Sequence, residues 1–268
     1  MRAKQRAIRI VRGARILPIL ERIRFLAKVV ASQRVNRNFR RKNPTEPMPP
    51  RWLTYDAFSD VSFERYWNDG QQIAAYIGEL ISASTVTPWV VCEWGCGPSR
   101  TLRHLAKEPL VKESLGTDYN RASISWCREQ FPGTTWIQNA LEPPLDIPDG
   151  HVDLAFAISV LTHLSEEHCL AWMRELRRIV RRDGLIMLTV HGDWYRDTML
   201  LPDEQVIYDD LGYVGRGNVK EGSRGFVAFH SPRYMIDTLA RGLDVVRHTR
   251  DAPVAIAGRQ EVWVFRNQ

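Results

Sequence analysis

From residue 88 to residue 190 the chain alternates short apolar runs with helical patterns, and this alternation restricts the fold more than any other feature. Runs at 89–93, 114–118, 134–138, 152–159 and 185–190 have the length and composition of strands. Helical stretches lie between them: 99–107, a segment from the capping residue Asn120 to 131, and a segment capped by Ser165. The last has Glu166 and Glu167 in its first turn and Arg177, Arg178, Arg181 and Arg182 at its far end, as the helix dipole favours, with a stop at Asp183-Gly184. Units in this order require a parallel sheet covered by helices on both faces. After 191 the pattern weakens to a short helix at 203–210, a glycine-rich loop, LGYVGRGNVKEGSRG, and a helix over 232–241. Two β-rich runs, 243–249 and 261–266, joined by DAPVAIAGRQ, predict an antiparallel pair at the sheet edge. The expected sheet therefore has seven strands, mostly parallel.

The net charge of +6 hides an asymmetry: residues 1–42 carry fourteen Lys or Arg and one acid, Glu21. The rest of the chain is mildly acidic. In this leader Ile16, Leu20, Ile23 and Leu26 recur near helical spacing, with Pro18 starting or interrupting a helix. A basic amphipathic segment suits an anionic membrane surface. A helix packed on the domain, a loosely ordered tail, a nucleic-acid contact or a targeting sequence are the other readings. The stretch NPTEPMPPRWL, 43–53, holds four prolines and reads as a linker. A helix follows over 68–82, with Ile73, Tyr76, Ile77, Leu80 and Ile81 on its apolar face. The expected organisation is a basic leader and linker at 1–47, a helical lead-in shaping an acceptor pocket at 48–86, and a core at 87–268. No apolar stretch approaches the roughly 18–20 residues of a membrane-spanning helix. Cys92, Cys96, Cys127 and Cys169 form no CxxC pair and read as buried thiols, so no metal site is expected.

The segment VVCEWGCGPSR, 90–100, ends an apolar run in an acid and then places glycines at 95 and 97. In an open α/β sheet ligands bind beyond the carboxyl ends of the strands, and glycines there let the backbone turn and approach a ligand. A helix starting near Ser99 would point its free N–H groups to the same place. The acid Glu93 repels a pyrophosphate but suits an amine or a sulfonium-bearing amino acid. A second acid, Asp118, ends the next strand and is able to accept both ribose hydroxyls of a nucleoside. Its bland role would be a helix cap, which Asn120 already fills.

Four segments in order, VVCEWGCGPSR, LGTDYN, WIQNALEPPLDIPDGHVDLAFAISVLTHL and ELRRIVRRDGLIMLTVHG, give the chain its resemblance to the class I S-adenosylmethionine-dependent methyltransferases, covering about 87–191. The resemblance implies a Rossmann-like fold and S-adenosyl-L-methionine as cofactor. It implies that Glu93, Gly95 and Gly97 line the methionine part, that Asp118 holds the ribose and that Tyr119 packs on the adenine. Asn139 and Ala140 stand where the family contacts the adenine ring, and Ile158 and Ser159 stand beside the transferable methyl. The chain departs from the family pattern in three places. Ser99 replaces a third glycine, His151 replaces an aromatic residue before Asp153, and Arg181-Arg182-Asp183-Gly184 replaces a Pro-Gly-Gly turn.

Methyl transfer to a hydroxyl needs a base, and histidine is the usual one. His191, His230 and His163 are the candidates, with Asp193 two residues after His191 and His163 the most structural of the three. The stretch AISVLTHL lacks the Asn/Asp-Pro-Pro-aromatic pattern of enzymes that methylate adenine or glutamine nitrogens. The expected reaction is transfer to a hydroxyl of a sugar, glycan or other small metabolite. The alternatives are N-methylation of an amine or amino sugar, RNA methylation through the basic leader, and a non-catalytic cofactor-binding scaffold. Nucleic acid is not the expected partner. The expected location is the cytoplasm, at the inner face of a membrane if residues 1–42 lie on anionic lipid.

Overall fold

The computed structural model describes residues 17–83, 88–217, 219–250 and 258–268. Residues 1–16 of the basic leader and most of the DAPVAIAGRQ connection lie outside these. The chain divides into two units, Met1–Asn68 and Asp69–Gln268.

In the first unit, helix α1 spans Leu17–Lys42. Helix α2 spans Arg51–Phe58, and α3, Phe63–Ser82, opens in this unit. Asn36 of α1 is buried; its amide nitrogen donates to the Val61 carbonyl (2.8 Å) and its oxygen accepts from the Phe63 N–H (2.8 Å). Those bonds cap the start of α3 and explain why the first part of the expected lead-in belongs with the leader helix. Phe39, Leu53, Tyr55, Val61, Phe63 and Tyr66 are the buried apolar residues of this unit.

In the second unit the strands are β1 (Trp89–Trp94), β2 (Val111–Asp118), β3 (Thr135–Gln138), β4 (Val152–Ala157), β5 (Val180–Val190), β8 (Asp244–Thr249) and β9 (Glu261–Arg266). They lie in the order β3-β2-β1-β4-β5-β9-β8. The first five are parallel, β9 runs antiparallel to β5, and β8 runs antiparallel to β9. All six residues of β1 are buried because both faces of the sheet are covered. On one face Val90, Cys92 and Trp94 pack with Trp172, Met173 and Leu176 of helix α6, Glu166–Ile179. On the other, Trp89 and Val91 pack with Ile73, Ile77 and Ile81 of α3 and with Ile124 and Cys127 of helix α5, Arg121–Gln130. Asn120 and Ser165 cap α5 and α6 as expected, and all four cysteines are buried free thiols. The chain moves from β3 on one side of β1 to β4 on the other, and that switch fixes where a ligand crevice opens.

Several local expectations differ from the structure; the helix expected over 68–82 begins at Phe63, and the proline-rich stretch 43–53 ends inside a helix that starts at Arg51. The stretch 99–107 yields only helix α4, Leu102–Leu105, because Ser99 is left-handed (φ +58°) and cannot enter a right-handed turn. Helix α6 stops at Ile179 rather than at Asp183-Gly184. Val180 pairs with Val152 in the sheet, and the Asn267 amide donates to the carbonyls of Arg177 (2.9 Å) and Val180 (2.7 Å), so 180–183 become strand. The glycine-rich loop contains strand β6, Tyr213–Arg216, paired antiparallel with β7, Val227–His230, as a separate two-stranded sheet. Helices α7, Asp193–Met199, and α8, Pro202–Leu211, precede it, and a helical turn at Pro232–Tyr234 continues as a wider turn over Met235–Leu239.

Candidate active site

The carboxyl ends of β1, β2 and β4 are level, since Glu93 pairs with Gly116 on one side and Phe156 on the other. After β1 the chain turns back through Gly95 (φ +73°), Gly97 (φ +49°) and Ser99 (φ +58°). The N–H groups of Gly95 and Cys96 both donate to the Thr117 carbonyl, at 2.8 and 3.0 Å, which folds the loop over the tip of β2. A Cβ on Gly95 would lie 2.3 Å from Val160 Cγ2, so the position also needs glycine for space. Ser99 takes the conformation that a third glycine would take, at a cost of about 1–2 kcal/mol for an L-residue. Its hydroxyl is buried without a hydrogen-bond partner among the described residues.

The two acids grip this loop from both strand tips. Glu93 Oε2 accepts from the Leu102 N–H (3.0 Å), and Asp118 Oδ2 accepts from the Gly97 N–H (2.7 Å). Asp118 Oδ1 accepts from the Asn120 N–H (2.7 Å), so its carboxylate is fixed in orientation. Both residues are buried. Burial raises the Glu93 pKa to about 8; Arg100 and the Leu102 bond oppose this, and the nearby Asp118 charge adds to it. A single cation placed between the acids would relieve both the burial and the repulsion.

At the tip of β3 the Asn139 N–H donates to the Asp118 carbonyl (3.2 Å) and its side-chain nitrogen to the Ala140 carbonyl (2.6 Å). Its Oδ1 is buried with no donor among the described residues, which makes it an acceptor without a partner. Ala140 is exposed beside it. Tyr119 is 41% exposed, and its hydroxyl donates to the Gly222 carbonyl (2.9 Å). Gly222 in turn donates its N–H to the His163 carbonyl (2.9 Å), and Glu221 accepts from the Ser165 N–H and pairs with His168 (2.6 Å). Residues 221–222 thus form a strap joining the tip of β2 to the segment after β4.

Past β4, Ile158 is buried and Ser159 is left-handed (φ +62°). The Ser159 N–H donates to Thr189 Oγ1 (2.8 Å), and its hydroxyl accepts from Gln260 Nε2 (2.8 Å). Thr189 donates to Gln260 Oε1 (2.7 Å), and Gln260 Nε2 lies 3.4 Å from His191 Nε2. His191 Nδ1 lies 3.1 Å from the Ala228 carbonyl, which only accepts, so Nδ1 carries the hydrogen and Nε2 the lone pair. Burial lowers the His191 pKa to about 4, so the ring is neutral at pH 7.

The side chains of the other predicted candidates are engaged elsewhere, although the His230 N–H donates to the His191 carbonyl (2.9 Å). Asp193 begins α7, where its carboxylate accepts from the Tyr208 hydroxyl (3.1 Å) and pairs with Arg250 (3.7 Å). His230 is wholly buried between Tyr213 and Tyr234, with Nε2 against Cys169 Sγ at 3.6 Å, and burial lowers its pKa to about 3. His163 Nδ1 is tied to the Phe226 carbonyl (2.8 Å). Gln260 and Thr189 were not foreseen from the sequence. The signal was the antiparallel C-terminal strand: Glu261 pairs with Val190, so the residue before β9 must lie at the carboxyl end of β5.

A family model described as a methyltransferase domain matches residues 91–184. No curated protein matches the sequence significantly. Among solved structures, the chain is similar to the glycopeptide N-methyltransferase MtfA complexed with S-adenosyl-L-homocysteine, with TM-score 0.54 and 14% identity over 75% of this chain and 90% of that one. It is similar to an S-adenosylmethionine-dependent methyltransferase from Mesorhizobium loti, with TM-score 0.52 and 13% identity over 72% and 97%. A SAM-dependent methyltransferase from Methanosarcina mazei gives TM-score 0.52 and 16% identity over 70% and 96%. At these identities the structural likeness speaks for the fold.

Proposed function

We infer that this chain, which carries a class I S-adenosylmethionine-dependent methyltransferase domain, transfers a methyl group to a hydroxyl of a sugar, glycan or other small acceptor. Its cofactor is S-adenosylmethionine, and the chemistry of the rim suits that molecule. The buried pair Glu93 and Asp118 calls for a positive group and for hydroxyl donors, which the methionine ammonium and the ribose supply. The unpartnered Asn139 Oδ1 calls for a donor, which the adenine amine supplies. Bound there, the cofactor provides a methyl already activated on a sulfonium. The protein then has to hold the acceptor in line, exclude water and take one proton.

His191 carries the reading for a hydroxyl acceptor. Its Nδ1 is committed to Ala228, and its Nε2 lone pair lies 3.4 Å from the Gln260 amide nitrogen, which also donates to the Ser159 hydroxyl. A base with a pKa near 4 is too weak to deprotonate a free alcohol. It suffices once the acceptor oxygen begins to bond to the methyl carbon and becomes strongly acidic, so proton transfer follows or accompanies methyl transfer. Transfer of labelled methyl to a panel of sugars, glycans and amines tests this. His191→Asn is expected to lower kcat about 10²–10⁴-fold on the hydroxyl acceptor while leaving S-adenosylhomocysteine affinity unchanged. Transfer to amines alone, undiminished in His191→Asn, would replace this reading by N-methylation.

The exposure of α1 supports a second element of the reading, contact with an anionic membrane. Ile23, Leu26 and Val30 are 58, 54 and 68% exposed at spacings of three and four, on a helix with eight Lys or Arg and one Glu. Among the described residues no helix is long and apolar enough to cross a membrane. Co-sedimentation with phosphatidylglycerol vesicles is the test: replacing these three residues with Gln should release the protein, and retained binding would remove the proposal.

A further inference from the structure

The first unit contains a cleft of about 390 Å³ that the methyl-transfer reading does not use. Arg37, Arg40 and Arg41 of α1 and Arg51 of α2 line it, together with Gln33 and Phe63. We propose that this cleft binds a phosphate-bearing ligand, a phosphate monoester or pyrophosphate, through those four guanidinium groups.

Four like charges around one cleft repel one another, and their lining includes no acid. The ion pairs described in this unit, Arg24–Glu21, Lys28–Asp60 and Arg65–Asp60, involve none of the four. Arginines gathered in this way favour a multivalent anion, because one phosphate accepts paired N–H bonds from several planar forks. The setting is also built rather than incidental. Asn36, fully hydrogen-bonded to Ser32, Val61 and Phe63, locks the floor of the cleft to the start of α3. The Arg40 guanidinium lies over the Phe63 ring, 5.0 Å from its centroid, which limits its rotamers. Helix α2 begins at Arg51 behind Pro50, with no side-chain cap and no acid in its first turn, so its positive end adds to the field. A carboxylate ligand carries one charge and satisfies one fork; a phosphate dianion or pyrophosphate matches the number of donors.

Isothermal titration of the full chain with sodium pyrophosphate at low salt tests the site. One equivalent should bind, and Arg37→Gln/Arg51→Gln should weaken binding about tenfold or more, as loss of charge-assisted bonds does. Arg22→Gln/Arg34→Gln removes the same charge from α1 outside the cleft and should change binding by less than about twofold. S-adenosylhomocysteine titration of each variant reports on the methyltransferase domain and keeps the two readings separate. Vesicles of phosphatidylcholine with phosphatidic acid identify the source of the phosphate. If R37Q/R51Q and added pyrophosphate each release the protein from them, the group is a lipid headgroup; if vesicle binding is insensitive to both while pyrophosphate binds, it is a soluble phosphate. No binding by the wild-type chain, or equal weakening by both pairs of substitutions, overturns the proposal.

Discussion

At pH 7 a carboxyl whose pKa has risen to about 8 is mostly protonated, and Glu93 is such a group. In the proposed site the cofactor ammonium lies against it and makes the carboxylate the favoured form, so cofactor binding is expected to expel a proton. Titration of S-adenosylhomocysteine at pH 7 in buffers of different ionisation enthalpy should show release approaching one proton, absent in Glu93→Gln. The affinity should rise up to about tenfold per pH unit toward pH 8 and then level off; pH-independent affinity would contradict it. His191 gives the opposite signature. With its pKa near 4, the rate should show no inflection near the ordinary histidine value and should fall only as pH approaches about 4. An acid limb centred near 6.5 would mean that another base acts. Ser99 offers a third check: Ser99→Gly relieves left-handed strain and should raise stability by roughly 1 kcal/mol in urea unfolding.

The elements were largely legible where residue type alone decides them. Apolar runs gave the strands, Asn120 and Ser165 gave the helix starts, and acids at 93 and 118 lie at the tips of β1 and β2. Elements set by distant partners were not. The end of α6 depends on Asn267, near the other end of the sequence, and β6 is a short glycine-containing strand that exists only through β7. Gln260 was invisible for the same reason, since its contact with Ser159 spans 101 residues. Its contacts with Thr189, Ser159 and His191 suit the role of a positioning residue in the proposed reaction. Gln260→Leu should leave S-adenosylhomocysteine affinity within about twofold and lower kcat roughly 10–100-fold, as loss of orientation does. An unchanged kcat would show that the Thr189–Gln260 pair is only structural.

For the molecule as a whole, acid should be destabilising well above the carboxylate range. His191 and His230 stay neutral in the fold down to about pH 4 and 3, whereas the unfolded chain protonates them below about 6.5. Between those limits the unfolded state binds more protons, so stability falls as pH falls, by about 2 kcal/mol for each group at pH 5. Glu93 works the other way, because the folded chain holds a proton up to about pH 8 that the unfolded chain releases above about 4.5. Burial lowers His104 to about 3 as well, so three imidazoles oppose one carboxyl and the net change is a loss. The urea midpoint should therefore drop from pH 7 to pH 5, with a shallower drop in His230→Phe; an equal midpoint at both values would refute the balance. The sheet order has a further consequence during synthesis. Glu93 and Asp118 leave the ribosome within 25 residues of each other, but the strand that brings Gln260 to Ser159 is translated last among the seven. A nascent chain therefore acquires the acids proposed to hold the nucleoside long before it acquires the glutamine proposed to orient the acceptor site.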